Sequence, residues 1–383
     1  MKYLKRFFIG LVSIVAVLII FLYIFDYDYL LKAVRTIYFT GHTTAYLKDY
    51  KKFDNVIVES GEPQPWPLAK NYNKAKASDT VMNVHEQYGS IAYMVIKNDS
   101  ILFEEYYDDF AQNSKSNSFS MAKSYVSAML GKAVMQGKIK GLNQPVGDFF
   151  EEYSTGNAAL MTVGDLASMA SGLNWDEAYY SPFSVTTRAY FDDDLTKVML
   201  DRGMKGKPGQ GFKYLSGNTE LLAMVLEKAT GSGLEEYLSQ EFWKPMGCES
   251  DALWQVDSKE NGLIKAYCCI ASNARDFAKL GKLYKDHGKW NGKQLLDSAF
   301  VAKSVTPRFE GAPYGYGFWI KKYQDKDLFM MRGHLGQYVM VAPEDNLIVV
   351  RLGHSRGDLG ENGFPAEIDT YLDEAYRIVN ESK

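Results

Sequence analysis

Cysteine, histidine and clustered positive charge are all scarce in this chain of 383 residues. Cys248, Cys268 and Cys269 are an odd number, so at most one internal disulfide can form. Their spacing matches no zinc pattern. The adjacent pair reads as buried free thiols, with a bridge from Cys248 to one of them as the alternative outside the cytoplasm. His42, His85, His287, His334 and His354 are scattered and form no H-E-x-x-H pair, so no catalytic metal is expected, and no cofactor either. Net charge is −4, and without Lys2, Lys5 and Arg6 the remaining 40 basic residues face 47 acidic ones. Such a surface suits a polyphosphate backbone poorly, and no stripe of Lys and Arg alternates with aromatics, so nucleic acid is not an expected partner. No internal repeat or low-complexity tract is visible.

One long apolar run is present. Phe7 to Phe25 is uncharged over 19 residues, enough at 1.5 Å per residue to cross a bilayer core. Lys2, Lys5 and Arg6 before it, with Asp26 and Asp28 after it, orient the N-terminus inward and the remainder to the extracytoplasmic (periplasmic) side. A cleaved signal would have a shorter apolar stretch and a small-x-small site. Phe25-Asp26-Tyr27-Asp28 offers neither, so residues 1–25 read as an uncleaved membrane anchor.

Residues 26–85 read as a stalk and approach segment, interrupted by Pro63, Pro65 and Pro67. The globular pattern, 86–383, begins with two apolar runs, 91–96 and 101–107, around Lys97-Asn-Asp-Ser100, which predicts a β-hairpin. Helical periodicity follows at about 120–137, 162–169, 216–231, 233–242 and 272–287. Gly137, Gly231 and Gly288 stand where helix ends favour a left-handed residue. Strands return at 317–320, 328–331, 338–341 and 347–352, and a last helix spans about 366–380. Strands at both ends with helices between predict an α/β (α+β) fold: one antiparallel sheet flanked by helices, a mostly helical lobe, and a cleft between them.

Ser120-Met-Ala-Lys123 opens the first of these helices. Residues three apart share a helix face, so the Lys123 amine can take the proton that keeps a serine hydroxyl inert, provided its own pKa is lowered. Ser120 is the only serine followed by lysine at this spacing. Three further segments add to it: Tyr214-Leu-Ser216 before a helix, His334-Leu-Gly336 between two late strands, and Ser171-Gly-Leu-Asn-Trp-Asp-Glu177 after a short helix.

Taken in order, S-x-x-K, Y-x-S and H-x-G resemble the penicillin-recognising serine hydrolase superfamily of class C β-lactamases, DD-peptidases and related esterases. The likeness is nearest to the 6-aminohexanoate-dimer (nylon-oligomer) hydrolase type and spans about residues 85–380. It implies a β-lactamase/transpeptidase-like fold and an acyl-enzyme on Ser120, with Lys123 and Tyr214 sharing the proton work. A phenol beside an ammonium is expected to titrate low. The backbone N–H groups of Ser120 and Gln337 would form the oxyanion hole, and Gly336 would let an edge strand approach the substrate. Ser216, which also reads as an N-cap, and His334 would face the substrate. Tyr179 matches the tyrosine that closes over the amide in the nylon-oligomer type. Trp175 reads first as core packing and, as the alternative carried with it, joins the substrate-side set.

Two departures matter. Ser216 stands where β-lactamases usually carry asparagine, and His334 where they carry a lysine that holds a carboxylate. A histidine near its ordinary pKa is mostly neutral at pH 7, which favours esters or small amides over β-lactams. The expected partner is therefore a small-molecule or short-peptide amide or ester. Action on cell-wall-like substrates, as a DD-peptidase or β-lactamase, and a catalytically idle binding protein are the alternatives. Gly353-His-Ser-Arg-Gly357 fits a nucleophile elbow, but no histidine follows it, and Asp192-Asp-Asp194 reads as a solvated helix start.

Overall fold

In the computed structural model, which describes residues 1–382, the early hairpin and the late strands meet in one sheet. β1 (Ser90–Lys97) and β2 (Ser100–Tyr106) form the hairpin. Asn98 and Asp99 turn it at φ of 50° and 59°, the handedness that matches strand twist. β3 (Trp319–Tyr323), β4 (Lys326–Gly333), β5 (Gln337–Ala342) and β6 (Leu347–Gly353) form a meander that pairs β6 with β1. The order is β2-β1-β6-β5-β4-β3, antiparallel throughout. β5 carries residues to two cores by alternation: Val339 and Val341 enter one, Tyr338 and Met340 the other. Both faces are thus covered, which explains why β5 and β6 are apolar except at Gln337 and Arg351, whose buried polar groups bond to backbone carbonyls.

After a separate N-terminal helix, α1 (Lys2–Ile24), five helices frame the sheet and the cleft: α2 (Tyr29–Thr36), α3 (Ala122–Met135), α4 (Ser216–Thr230), α5 (Ala274–Lys285) and α6 (Glu367–Glu381). α5 lies so close to the sheet that a methyl on Gly281 would stand 3.1 Å from both Val339 and Val341. α6 covers the opposite face through Ile368, Tyr371, Leu372 and Ala375. α3 and α4 pack together as the centre of the helical lobe, and Gly231 ends α4 in the left-handed conformation. α1 is exposed along its whole length, with mean hydropathy 3.0 over its best 18 residues.

Two expectations are corrected. Residues 26–85 are not a free stalk, and the boundary at 86 cuts through folded structure. Asn55–Val58 pairs with Ala252–Gln255 in a second, four-stranded sheet completed by Ile270–Ser272 and Ser116–Asn117. Cys268 and Cys269 are bonded to each other, and Cys248 is the buried free thiol. No bridge runs from Cys248, because both of its candidate partners are taken up by their own bond.

Candidate active site

The small sheet delivers the chain to Ser120. After Asn117 the backbone turns sharply, with Phe119 at φ 46°, and α3 begins at Ala122. Asn117 Oδ1 accepts from the Phe119 N–H at 2.9 Å, and Ser118 N–H donates to the Ile270 carbonyl at 2.7 Å. Asn117 is in turn held by Asp49, which takes its amide at 3.0 Å and the Tyr190 hydroxyl at 2.6 Å. Residues ahead of the hairpin therefore brace the turn that carries Ser120.

Lys123 lies in the first turn of α3 and is 2% exposed. Its Nζ stands 3.0 Å from Ser120 Oγ, donates to the Tyr267 carbonyl at 2.8 Å, and sits 5.1 Å from the Tyr214 ring centroid. Burial lowers its pKa to about 8, against the opposing pull of Glu177 and Glu220. Glu220 on α4 is buried and accepts from the Ala266 N–H at 2.8 Å, fixing the peptide whose neighbour carbonyl holds Lys123.

Tyr214 joins the same cluster, with its ring 5.2 Å from Trp319. Its phenol does not titrate low. Burial, then the charge of Glu177, push its pKa up, and a hydrogen bond with Ser120 and the charge of Arg332 only partly offset this. The expected lowering relied on the neighbouring ammonium, and desolvation of the buried phenol outweighs it.

Glu177 is the residue that motif reading left without a role. Its carboxylate accepts from the Ser216 N–H at 2.7 Å, from the Ser216 hydroxyl, and from the Tyr179 hydroxyl at 2.6 Å. It thereby caps α4 from a distance; Ser216 is the first helical residue, not the N-cap. Its neighbours in the Ser171–Glu177 motif offered the only sequence signal for it. Glu177→Gln is expected to shift the acid limb of kcat/KM to lower pH, because the charge that raises Lys123 is gone. Stability should fall by about 1 kcal/mol as a charge-assisted cap becomes neutral; pH-rate profiles and denaturant melts of the variant check both.

Tyr179 stacks on His334, with ring centroids 5.3 Å apart. Burial, reinforced by Arg356, lowers the His334 pKa to about 4, so the ring is neutral at pH 7, and its Nε2 is buried without a partner. Trp175 follows its core-packing reading and not the substrate-side one: it is 3% exposed, donates to Thr186 Oγ1 at 3.0 Å, and does not line the cavity at Ser120. Its ring packs under α4, where a methyl on Gly217 would meet it at 2.5 Å. Gly217→Ala should therefore cost about 1–3 kcal/mol by overpacking, measurable as a fall in the unfolding midpoint.

Gly336 also differs from expectation. β5 is an internal strand, not an edge, and Gly336 sits at φ 82° directly over Arg351. The buried Arg351 guanidinium donates to the carbonyls of Gly336 and Ser355 at 2.9 Å and of Tyr88 at 2.8 Å. Glycine is required there by the backbone and the arginine beneath it. Gln337 opens β5, and its side chain exchanges hydrogen bonds with Gly353, donating to its carbonyl at 2.7 Å and accepting from its N–H at 3.1 Å. Gly333, its cross-strand partner, lies so close to the Ser118 carbonyl that a side chain would not fit, which brings this end of the sheet against the Ser120 turn. The elbow-like segment at 353–357 leads into coil, and Ser355 donates its N–H to Tyr88. Asp194 caps a short helix, as its composition predicts.

The cavity over Ser120 encloses about 850 Å³, its open mouth included, and Tyr179, Ser216, Tyr267 and His334 line it. An antiparallel sheet set against a helical lobe, with a buried lysine touching a serine at a helix start, defines an active-serine hydrolase. The Beta-lactamase family model matches residues 69–370, and the chain belongs to that family of serine amide and ester hydrolases. It is 25% identical over 285 residues to the 6-aminohexanoate-dimer hydrolase of Paenarthrobacter ureafaciens, covering 68% of this chain and 71% of that protein. A Bacillus anthracis structure described as a 6-aminohexanoate-dimer hydrolase superposes with a TM-score of 0.72 at 19% identity, over 87% of this chain and 91% of that one. A family VIII carboxylesterase structure gives 0.61 at 15% identity, over 82% and 98%. The last two likenesses speak for the fold.

Proposed function

We propose that this protein is a membrane-anchored hydrolase that cleaves an amide or ester bond of a small molecule or short peptide through an acyl-enzyme on Ser120. The observation that carries this reading is the 3.0 Å approach of a buried, pKa-lowered Lys123 to Ser120 Oγ. With its pKa near 8, about a tenth of Lys123 is neutral at pH 7, enough to act as general base. Lys123 takes the Ser120 proton as Oγ attacks the carbonyl. Tyr214, kept protonated by burial, donates to the departing oxygen or nitrogen, and water then releases the acyl group by the reverse proton path. The backbone N–H groups of Ser120 and Gln337 are the proposed oxyanion donors; each such donor is worth about 3 kcal/mol in the transition state. Ser216, Tyr179 and neutral His334 would contact the substrate.

The relatives' names include an amide-dimer hydrolase and a carboxylesterase, which supports an amide or ester and does not choose between them. A neutral His334 gives no cation for a β-lactam carboxylate, which weighs against the cell-wall alternative. α1 is long and apolar enough to anchor the chain, and the basic residues before its apolar run support an extracytoplasmic catalytic body. Treatment of the full-length protein with a fluorophosphonate, followed by peptide mass mapping, tests the reading. One adduct on Ser120 is expected; no adduct, or one on another serine, overturns it.

A further inference from the structure

The wall of the Ser120 cavity is built in part by the segment that follows α1. Ala33 of α2, then Ile37, Tyr38 and residues 43–45, line it opposite Ser120. Only Phe25 to Asp28 separate α1 from α2, a reach of at most about 14 Å even if fully extended. Ala33 and Ile37 lie at most about 12 Å further along at helical rise. If α1 crosses a bilayer, the cavity wall stands close to the bilayer surface whatever the tilt of the body.

The segment is fixed in that place. Tyr29 of α2 donates its hydroxyl to the Pro182 carbonyl at 2.9 Å, and Tyr27 packs edge-on against Phe183 at 6.0 Å. Lys32 pairs with Asp193 and donates to the Asp257 carbonyl at 2.8 Å. The Tyr27 and Tyr29 contacts join this segment to the loop that carries Tyr179 and Tyr180 over the cavity, and Lys32 ties it to Asp193 and Asp257. The same face exposes large aromatics: Phe39 is 81% exposed, Tyr180 74%, Phe183 70% and Tyr38 61%. Tyrosines and other aromatics gathered beside a membrane-crossing helix are what a bilayer interface stabilises. Among the described residues, no Asp, Glu, Lys or Arg lines the cavity.

We propose that the cavity takes its substrate from the membrane: an amphiphile whose long acyl chain lies along Ile37, Tyr38, Tyr180 and Phe191 and whose ester or amide carbonyl meets Ser120. This rests on the hydrolase reading above and names its substrate class. Ser120 Oγ bonds to the acyl carbon as the C–O or C–N bond breaks, and the leaving alcohol or amine receives the proton. Water then attacks the acyl-enzyme, releasing a fatty acid and restoring the serine hydroxyl.

The test uses full-length protein in phosphatidylcholine vesicles, with nitrophenyl acetate, octanoate and hexadecanoate as substrates. From acetate to octanoate, kcat/KM should rise by at least about tenfold, since each buried methylene favours binding by about 0.8 kcal/mol. Phe39 and Phe183 lie outside the cavity lining. Phe183 also packs on Tyr27, so the test variant is Phe39→Ser, which should keep acetate hydrolysis unchanged and lose about threefold or more on vesicle-borne hexadecanoate, as one interfacial anchor is removed. Ser120 acylation by acetate with no gain for longer chains, or a Phe39→Ser variant equal to wild type on hexadecanoate, overturns this proposal alone. No acylation by any ester or by the fluorophosphonate overturns the hydrolase reading, and this one with it.

Discussion

Ser120→Ala is expected to lower kcat/KM for a nitrophenyl ester by about four orders of magnitude or more, while the folded state persists. The hydroxyl is the only part of residue 120 that the substitution removes, and the backbone N–H that would bind the oxyanion is retained. Loss of a nucleophile commonly leaves only the residual acceleration of the oxyanion hole and binding. The turn itself is held by Asn117, Ser118 and Ile270, none of which bonds to the Ser120 hydroxyl, so melting should move little. Steady-state kinetics and a thermal melt measured together decide the matter. Retained turnover in a well-folded Ser120→Ala protein would exclude the acyl-enzyme.

The second large effect is expected from Lys123→Met. Methionine nearly matches the length of the lysine stem and suits a site that is 2% exposed. Removing the base should cost about 10³–10⁴-fold in kcat, with KM little changed, because the amine acts on the proton and not on substrate affinity. Stability is set by two opposing terms. The Tyr267 carbonyl loses the donor it has at 2.8 Å, which costs about 1–3 kcal/mol, and a buried charge no longer has to be desolvated. The net change in unfolding free energy should therefore be small, which separates loss of catalysis from loss of fold.

Much of this arrangement is legible in the chain, for identifiable reasons. The hairpin is marked by two apolar runs around Asn98 and Asp99, and the late meander by four β-rich segments, because long apolar strands leave a strong local signal. Ser120 and Lys123 come together by helical spacing alone. Tyr214 reaches them across 90 residues of sequence, and only the resemblance to a family joined it to the pair. The four-stranded sheet was missed because its strands have two to four residues each, too short for any period to show. For the same reason residues 26–85 read as a stalk, although Asp49 braces Asn117 beside the turn that carries Ser120.

What sequence could not supply is environment. The Tyr267 carbonyl that holds Lys123 is a backbone group and carries no signature in the side-chain order. Glu220 looks like an ordinary helix residue until its burial is seen. The Tyr214 phenol illustrates the same limit: proximity to an amine suggested a low pKa, and desolvation decided the opposite sign. Trp175 has the composition of a substrate platform and the position of a packing residue under Gly217.

The pH dependence of kcat/KM for a neutral ester tests the role of Lys123 most directly. The value should rise about tenfold per pH unit through the acid range and level off near pH 8, as the proton leaves the buried amine. Tyr214, with its pKa raised, should impose no fall just above that plateau. A profile with no limb near 8, or one that survives unchanged in Lys123→Met, would contradict the assignment of Lys123 as the base.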